Sequence, residues 1–210
     1  VADPDGFGSE EALALLDWKR TIFALYADVR AAPDPAAAWR RWRTVRDHLF
    51  ASHPQTPLPA GARAGFTALP CFDYDPTLRV SARVEAVSPR RDELPTGGKA
   101  RIAFRRLAVA VFTLNDAEHR LDLHWLDAYG GGLFLPVADA TNGEETYGGG
   151  RYLLDTVKGA DLGVDAAGDL VLDFNFLFNP SCSYDEAWIC PLPQSGNRLA
   201  VPLPGGERLA

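Results

Sequence analysis

Apolar positions recur at helical spacing near the N-terminus and at a spacing of two further on, and that change of period divides the chain. Leu15, Trp18, Ile22, Leu25 and Val29 lie three or four residues apart, as on a helix that buries one face. Ser9 has the side chain of an N-cap, and Glu10 and Glu11 suit the positive end of a helix. Pro33 ends this element, and Asp34 followed by Pro35 restarts a helix with a cap and a proline in its first turn. Trp39, Trp42, Val45 and Leu49 form its apolar stripe, and Arg40, Arg41, Arg43 and Arg46 predict a solvated face. The segment SHPQTPLP, Ser52 to Pro59, holds three prolines and stops the helix.

Beyond this point the period is two. Val80, Ala82, Val84 and Ala86 alternate with Arg79, Ser81, Arg83 and Glu85. Further strands are expected at 101–104, 107–114, 118–126, 133–137, 151–157, 170–178 and 197–203, the last an edge because of Pro202. Pro89 to Lys99 reads as a mobile loop. The expectation is one α+β domain over residues 1–210. A helical pair (9–50) packs on a β-rich body (72–204), a mostly antiparallel β-barrel or β-sandwich of about eight strands.

Composition narrows the function classes. With 47% hydrophobic residues in 210, the chain buries a full core. A net charge of -7 argues against a nucleic acid or an anionic membrane as partner. No apolar run approaches the roughly 20 residues of a membrane-spanning helix, and the acidic N-terminus lacks a signal region, so a cytoplasmic location is expected. Three cysteines are too few for a disulfide scaffold. Cys182 and Cys190 can close a short loop as a disulfide in an oxidising compartment and stay thiols in the cytosol. Cys71 reads as a small buried hydrophobe.

The residues between Phe134 and Asn197 concentrate the candidate chemistry. In Asp139 to Arg151 three consecutive glycines permit positive φ and close approach. Arg151 offers a planar fork to a carboxylate or phosphate, or else pairs internally with Asp139 or Asp173. Asp173, Asn175 and Asn179 share one face if alternation persists, opposite Phe174, Phe176 and Phe178. Thr141, Thr146, Tyr147 and Tyr184 can join them. Asp122 and His124 share a strand face, but two ligands do not make a zinc site, so no metal is expected. For the two cysteines, no histidine lies nearby in sequence, and a structural role is simpler than nucleophilic catalysis.

These residues carry a resemblance. The segments DATNGEETYGGGRYL, DFNFLFNPSCSY and CPLPQSGNRLAVPLPGGE follow one another as in a family of bacterial and archaeal proteins known as domain of unknown function 1684, and the chain resembles that family from about Trp39 onward. Two departures stand out. Gln194-Ser195-Gly196 replaces a proline-rich stretch, and Leu177-Phe178 replaces Ala-Tyr. The resemblance brings no activity, cofactor or catalytic residue. It implies that Asp139, Thr141, Tyr147, Arg151, Asp173, Asn175, Asn179, Cys182 and Cys190 act as one unit.

The function expected from these residues is binding of a small polar or anionic molecule. Arg151 would be the charge anchor, Thr141, Asn175 and Asn179 the orienting groups and Tyr147 a wall, with Asp139 and Asp173 also in the binding set. Two alternatives stand beside it. One is an enzyme, either a hydrolase with Asp173 as general base or a split-barrel oxidoreductase that holds flavin phosphate at the triple glycine. The other is a structural or partner-binding protein whose polar groups pair internally. An exposed edge strand would allow a homodimer.

Overall fold

The structure, a computed structural model, describes residues 8–96, 99 and 101–209. Helix α1 spans Ser9–Ala31 and α2 spans Pro35–Ser52. Gly8, not Ser9, caps α1, because the Glu11 carboxylate reaches back to accept from the Gly8 amide at 2.9 Å. Asp34 caps α2, accepting from the amides of Ala36 and Ala37 at 2.9 and 3.2 Å. Ile22, Leu25, Tyr26 and Val29 of α1 face Trp39, Trp42 and Leu49 of α2 within one core. Trp42 is fully buried, and its indole N–H donates to Tyr26 Oη at 3.1 Å, which satisfies the donor that so large a buried ring must place. A short helix α3, Ala60–Arg63, follows the prolines.

Among the described residues six strands follow: β1 (Arg79–Pro95), β2 (Arg101–Leu114), β3 (Ala117–Leu126), β4 (Leu133–Val137), β5 (Arg151–Asp155) and β6 (Leu170–Asp173). All pairings between them are antiparallel, in the spatial order β5-β4-β3-β2-β1-β6. The sheet curls until its ends almost meet. Tyr152 of β5 and Phe178, just beyond β6, exchange backbone hydrogen bonds at 2.8 and 3.0 Å. The α+β architecture, a helical pair on a nearly closed antiparallel barrel, is therefore as expected, with fewer strands.

The differences have local causes. The expected strands at 101–104 and 107–114 are one continuous strand, whose register slips at a bulge between Arg106 and Ala108. Pro89 to Lys99 is not a loop throughout. β1 runs on through Pro95 and accommodates Pro89 at an irregularity between Ala86 and Arg90; part of the remainder lies outside the described residues. The strand expected at 170–178 ends at Asp173, because the Asp173 carboxylate accepts from Asn175 N at 3.1 Å and turns Phe174–Phe176 into a 3-10 helix. Residues 197–203 form a single parallel bridge, Ala138 with Arg198, rather than a strand.

The core runs from α1 and α2 through the barrel interior to Phe174, Phe176, Leu177 and Leu203. A smaller apolar group, Leu94, Phe104, Phe134, Tyr152 and Cys190, fills one end of the barrel. Among the described residues no helix is long and apolar enough to cross a membrane.

Candidate functional site

The residues singled out in the sequence separate into three groups. The first surrounds Arg151, which is fully buried. Its Nη2 donates to Asp139 Oδ2 at 2.8 Å and to Leu203 O at 2.9 Å, and its Nη1 donates to Glu207 O at 3.0 Å and to Gly205 O. The other Asp139 oxygen accepts from Thr141 N and Oγ1 at 2.9 and 2.6 Å and from Leu203 N at 3.1 Å. Thr146 joins through Thr141 Oγ1 and Asn142 Nδ2, both at 2.8 Å. This network clamps the C-terminal segment onto β5, and it leaves no guanidinium fork facing solvent. The glycines serve packing. A Cβ on Gly150 (φ +85°) would lie 2.9 Å from Val137 O and 2.7 Å from Pro193 Cγ, and one on Gly149 would strike the Tyr147 ring at 2.4 Å.

The second group is Asp173 and Asn175, both fully buried. They do not share a strand face with Asn179, because the chain turns after Asp173. Asp173 Oδ1 accepts from Asn175 Nδ2 at 2.8 Å, and Oδ2 accepts from Arg79 Nη1 at 3.1 Å. Asn175 clasps Asp75 by both backbone groups, at 2.9 and 2.8 Å. Burial raises the Asp173 pKa, while the bonds from Asn175 and Arg79 oppose that rise. Arg79, held by Asp173, lines a surface cavity of about 410 Å³ with Arg30, Asp161 and Asp165. Its charged groups are already paired: Arg30 donates to Asp161 O at 2.7 Å, and Ser81 Oγ donates to Asp165 at 2.6 Å.

The third group centres on Asn179. Glu207, fully buried, accepts from Asn179 N and Tyr184 Oη, both at 2.7 Å, on Oε2, and from Arg46 Nε at 3.0 Å on Oε1. The Arg46 guanidinium lies over the rings of Trp42, Phe50 and Phe178, with its central carbon 4.9–5.3 Å from their centroids. Burial, reinforced by Glu207, lifts the Tyr184 pKa well above its usual value and keeps the phenol protonated. Beside these residues lies a cavity of about 90 Å³ between α1, α2 and the segment after β6. Trp18, Phe50 and Phe178 give it apolar walls, and Arg46, Asn179, Tyr184 and Cys190 give it polar ones. Asn179 is 8% exposed, and its Oδ1 has no hydrogen-bond partner.

Cys182 and Cys190 are unbridged in this structure. The Cys182 amide donates to Cys190 Sγ at 3.3 Å, and Tyr147 Oη lies 3.9 Å from Cys182 Sγ. His53 does not approach them; it lies against Trp18 and, at 3.4 Å, Asp17. Asp122 and His124, the pair on one strand face, are both drawn into the protein. Asp122 pairs with Arg106 at 2.7 Å, while His124 is 1% exposed, with neither ring nitrogen hydrogen-bonded and Nε2 3.7 Å from Asp92 Oδ2. Among the described residues no cluster of three or more His, Cys, Asp or Glu side chains is arranged to hold a metal.

Two residues of this third group escape a reading based on sequence. Arg46 is not part of a solvated face. It stands four residues after Trp42 and four before Phe50, so it lies on the buried stripe, and that spacing was the available signal. Glu207, near the C-terminus, gives no local sign that it is buried.

A helical pair seated on a nearly closed antiparallel barrel, its C-terminal segment clamped by buried ion pairs, defines an α+β protein. Over residues 64–208 the chain matches the family described as "Protein of unknown function (DUF1684)", and it belongs to that family. It is also similar to an uncharacterised protein of Haloarcula marismortui with a solution NMR structure. The two are 31% identical, with a TM-score of 0.60 over 82% of this chain and 93% of that one. No curated protein matches the chain.

Proposed function

We propose that this protein is a binding module for a small polar molecule, received in the cavity between the helical pair and the segment after β6. One observation carries the reading: Asn179 lines the cavity, and its buried Oδ1 has no hydrogen-bond partner. Leaving such an acceptor unpaired costs about 1–3 kcal/mol, which a ligand O–H or N–H donor would relieve. The cavity, about 90 Å³, holds the equivalent of about three waters at ~30 Å³ each, so the occupant is small or only partly enclosed. Its charges favour a neutral ligand. Arg46 is paired with Glu207, and Lys158 lies 3.4 Å from Asp155. The apolar walls from Trp18, Phe50 and Phe178 suit a flat, ring-sized body.

This reading moves the anchor from Arg151 to Asn179. Of the residues first singled out, Asn179 would touch the ligand beside Tyr184 and Cys190; Asp139, Thr141, Tyr147, Arg151, Asp173 and Asn175 lie off the cavity lining. Titration of the protein with phenol and with benzamide, followed by NMR, tests it. Saturable shifts at Asn179, Tyr184 and Phe178 are expected, with affinity falling about 5- to 150-fold in Asn179→Leu as the acceptor's ~1–3 kcal/mol is lost. Absence of saturation with either probe, or equal affinity in wild type and variant, overturns it.

A further inference from the structure

We propose that Cys190 and Cys182 form a peroxide-reactive dithiol on the wall of this cavity, in which Cys190 attacks a hydroperoxide and Cys182 resolves the product to a disulfide. The inference uses the same cavity as the binding reading but does not depend on it.

The geometry assigns the two roles. Cys190 Sγ accepts from the Cys182 amide at 3.3 Å, and Cys190 is part of the cavity lining, which connects it to small solutes although it is 5% exposed. Cys182 stands on the 3-10 turn Ser181–Ser183, partly exposed, with its sulfur 3.9 Å from Tyr147 Oη. The charged side chain nearest in effect is Lys158, on the same cavity wall. The electrostatics of the pair run the same way. The Cys182 thiol donating to Cys190 holds the Cys190 pKa down, with help from the Cys182 and Ser181 amides and from Lys158, and against burial. Cys182 is shifted the opposite way by its interaction with Cys190 and by burial. The amide bond from Cys182 and the Lys158 side chain on the same wall thus favour the thiolate, the reactive form, at Cys190, the sulfur that lines the cavity.

The steps balance with a hydroperoxide as the oxidant. The Cys190 thiolate attacks one peroxide oxygen. An S–O bond forms, the O–O bond breaks, and the leaving oxygen departs as hydroxide or alkoxide, giving Cys190 sulfenic acid. Cys182 sulfur then attacks Cys190 sulfur. The S–S bond forms, the S–O bond breaks, and the hydroxyl leaves as water with the Cys182 proton. Hydrogen peroxide is close to water in bulk, and the cavity of about 90 Å³ has room for it on the basis of ~30 Å³ per water.

Cys71 is the internal control. It is the one other cysteine of the chain, and burial pushes its thiol up to about 12. The reduced full-length protein is exposed to hydrogen peroxide, alkylated, and mapped by peptide mass spectrometry. The expected result is a disulfide between the peptides carrying Cys182 and Cys190, formed at least tenfold faster than any oxidation of Cys71. In Cys182→Ser, dimedone should trap sulfenic acid at Cys190; in Cys190→Ser, it should trap none at position 182. Three alkylatable thiols remaining in wild type, oxidation of Cys71 at an equal rate, or trapping at Cys182 instead of Cys190 overturns the proposal. The wild-type experiment stands even if a variant fails to fold.

Discussion

Arg46 Nε donates to Glu207 Oε1 at 3.0 Å across 161 positions of sequence, inside the protein. The other Glu207 oxygen takes the Asn179 amide and the Tyr184 hydroxyl, each at 2.7 Å. One carboxylate thus ties α2, the segment after β6 and the C-terminal tail together, and it shapes the wall of the small cavity. Removing one partner of a buried ion pair leaves the other charge uncompensated, at about 3–5 kcal/mol. Glu207→Ala is expected to lower stability by that amount in urea unfolding. Arg46→Met combined with Glu207→Met should recover a large part of the loss, because neither charge is then left alone.

Arg151 is a second buried fastener. A lysine cannot reproduce the planar contacts to Asp139 and to the carbonyls of Leu203, Gly205 and Glu207. Arg151→Lys should therefore cost more than about 2 kcal/mol, with the abandoned acceptors at ~1–3 kcal/mol each setting the scale. Thermal unfolding measures it. A variant as stable as wild type would show that the clamp contributes little.

His124 gives the fold a pH dependence. Burial lowers its pKa from the usual 6.5, with Arg106 and Arg90 acting in the same direction and Asp122 and Asp92 against it. The unfolded chain takes up a proton at about pH 6.5 that the folded protein still refuses, so stability is full above that pH and falls as pH drops towards the folded value. The urea midpoint should decline from pH 7.5 to 5.5 in wild type, and less steeply in His124→Phe. Equal slopes would remove His124 as the cause.

Gly206 has φ +72°, and a Cβ there would lie 2.2 Å from Leu177 O. Backbone strain and a clash with a carbonyl act together, so Gly206→Ala should cost more than about 1 kcal/mol. Loss of the C-terminal clamp should appear as faster amide exchange at Glu207, whose N–H donates to Leu177 O at 2.8 Å.

The helices were legible because Leu25, Val29, Trp39, Trp42 and Leu49 repeat a local period, and Asp34-Pro35 marks a start. The α+β class followed from the later change to a period of two. What sequence alone did not disclose depends on distant partners. Bulges at Arg106 and near Pro89 merge or extend strands without changing composition. An Asp173 side chain that turns its own backbone ends a strand which alternation would continue. Arg46 reads as solvated until Glu207 arrives from the far end of the chain. The apparent unit of polar residues in the C-terminal half divides for the same reason. Those side chains find their partners through the fold, and Asn179, on the lining of the small cavity, keeps a buried Oδ1 without one.

A crystal structure of the protein soaked in phenol tests the central claim most directly. The account predicts density for the ring between Trp18, Phe50 and Phe178, with its hydroxyl within hydrogen-bond reach of Asn179 Oδ1. A cavity closed by the side chains around it, with Asn179 Oδ1 bonded to another residue of the protein, would contradict it.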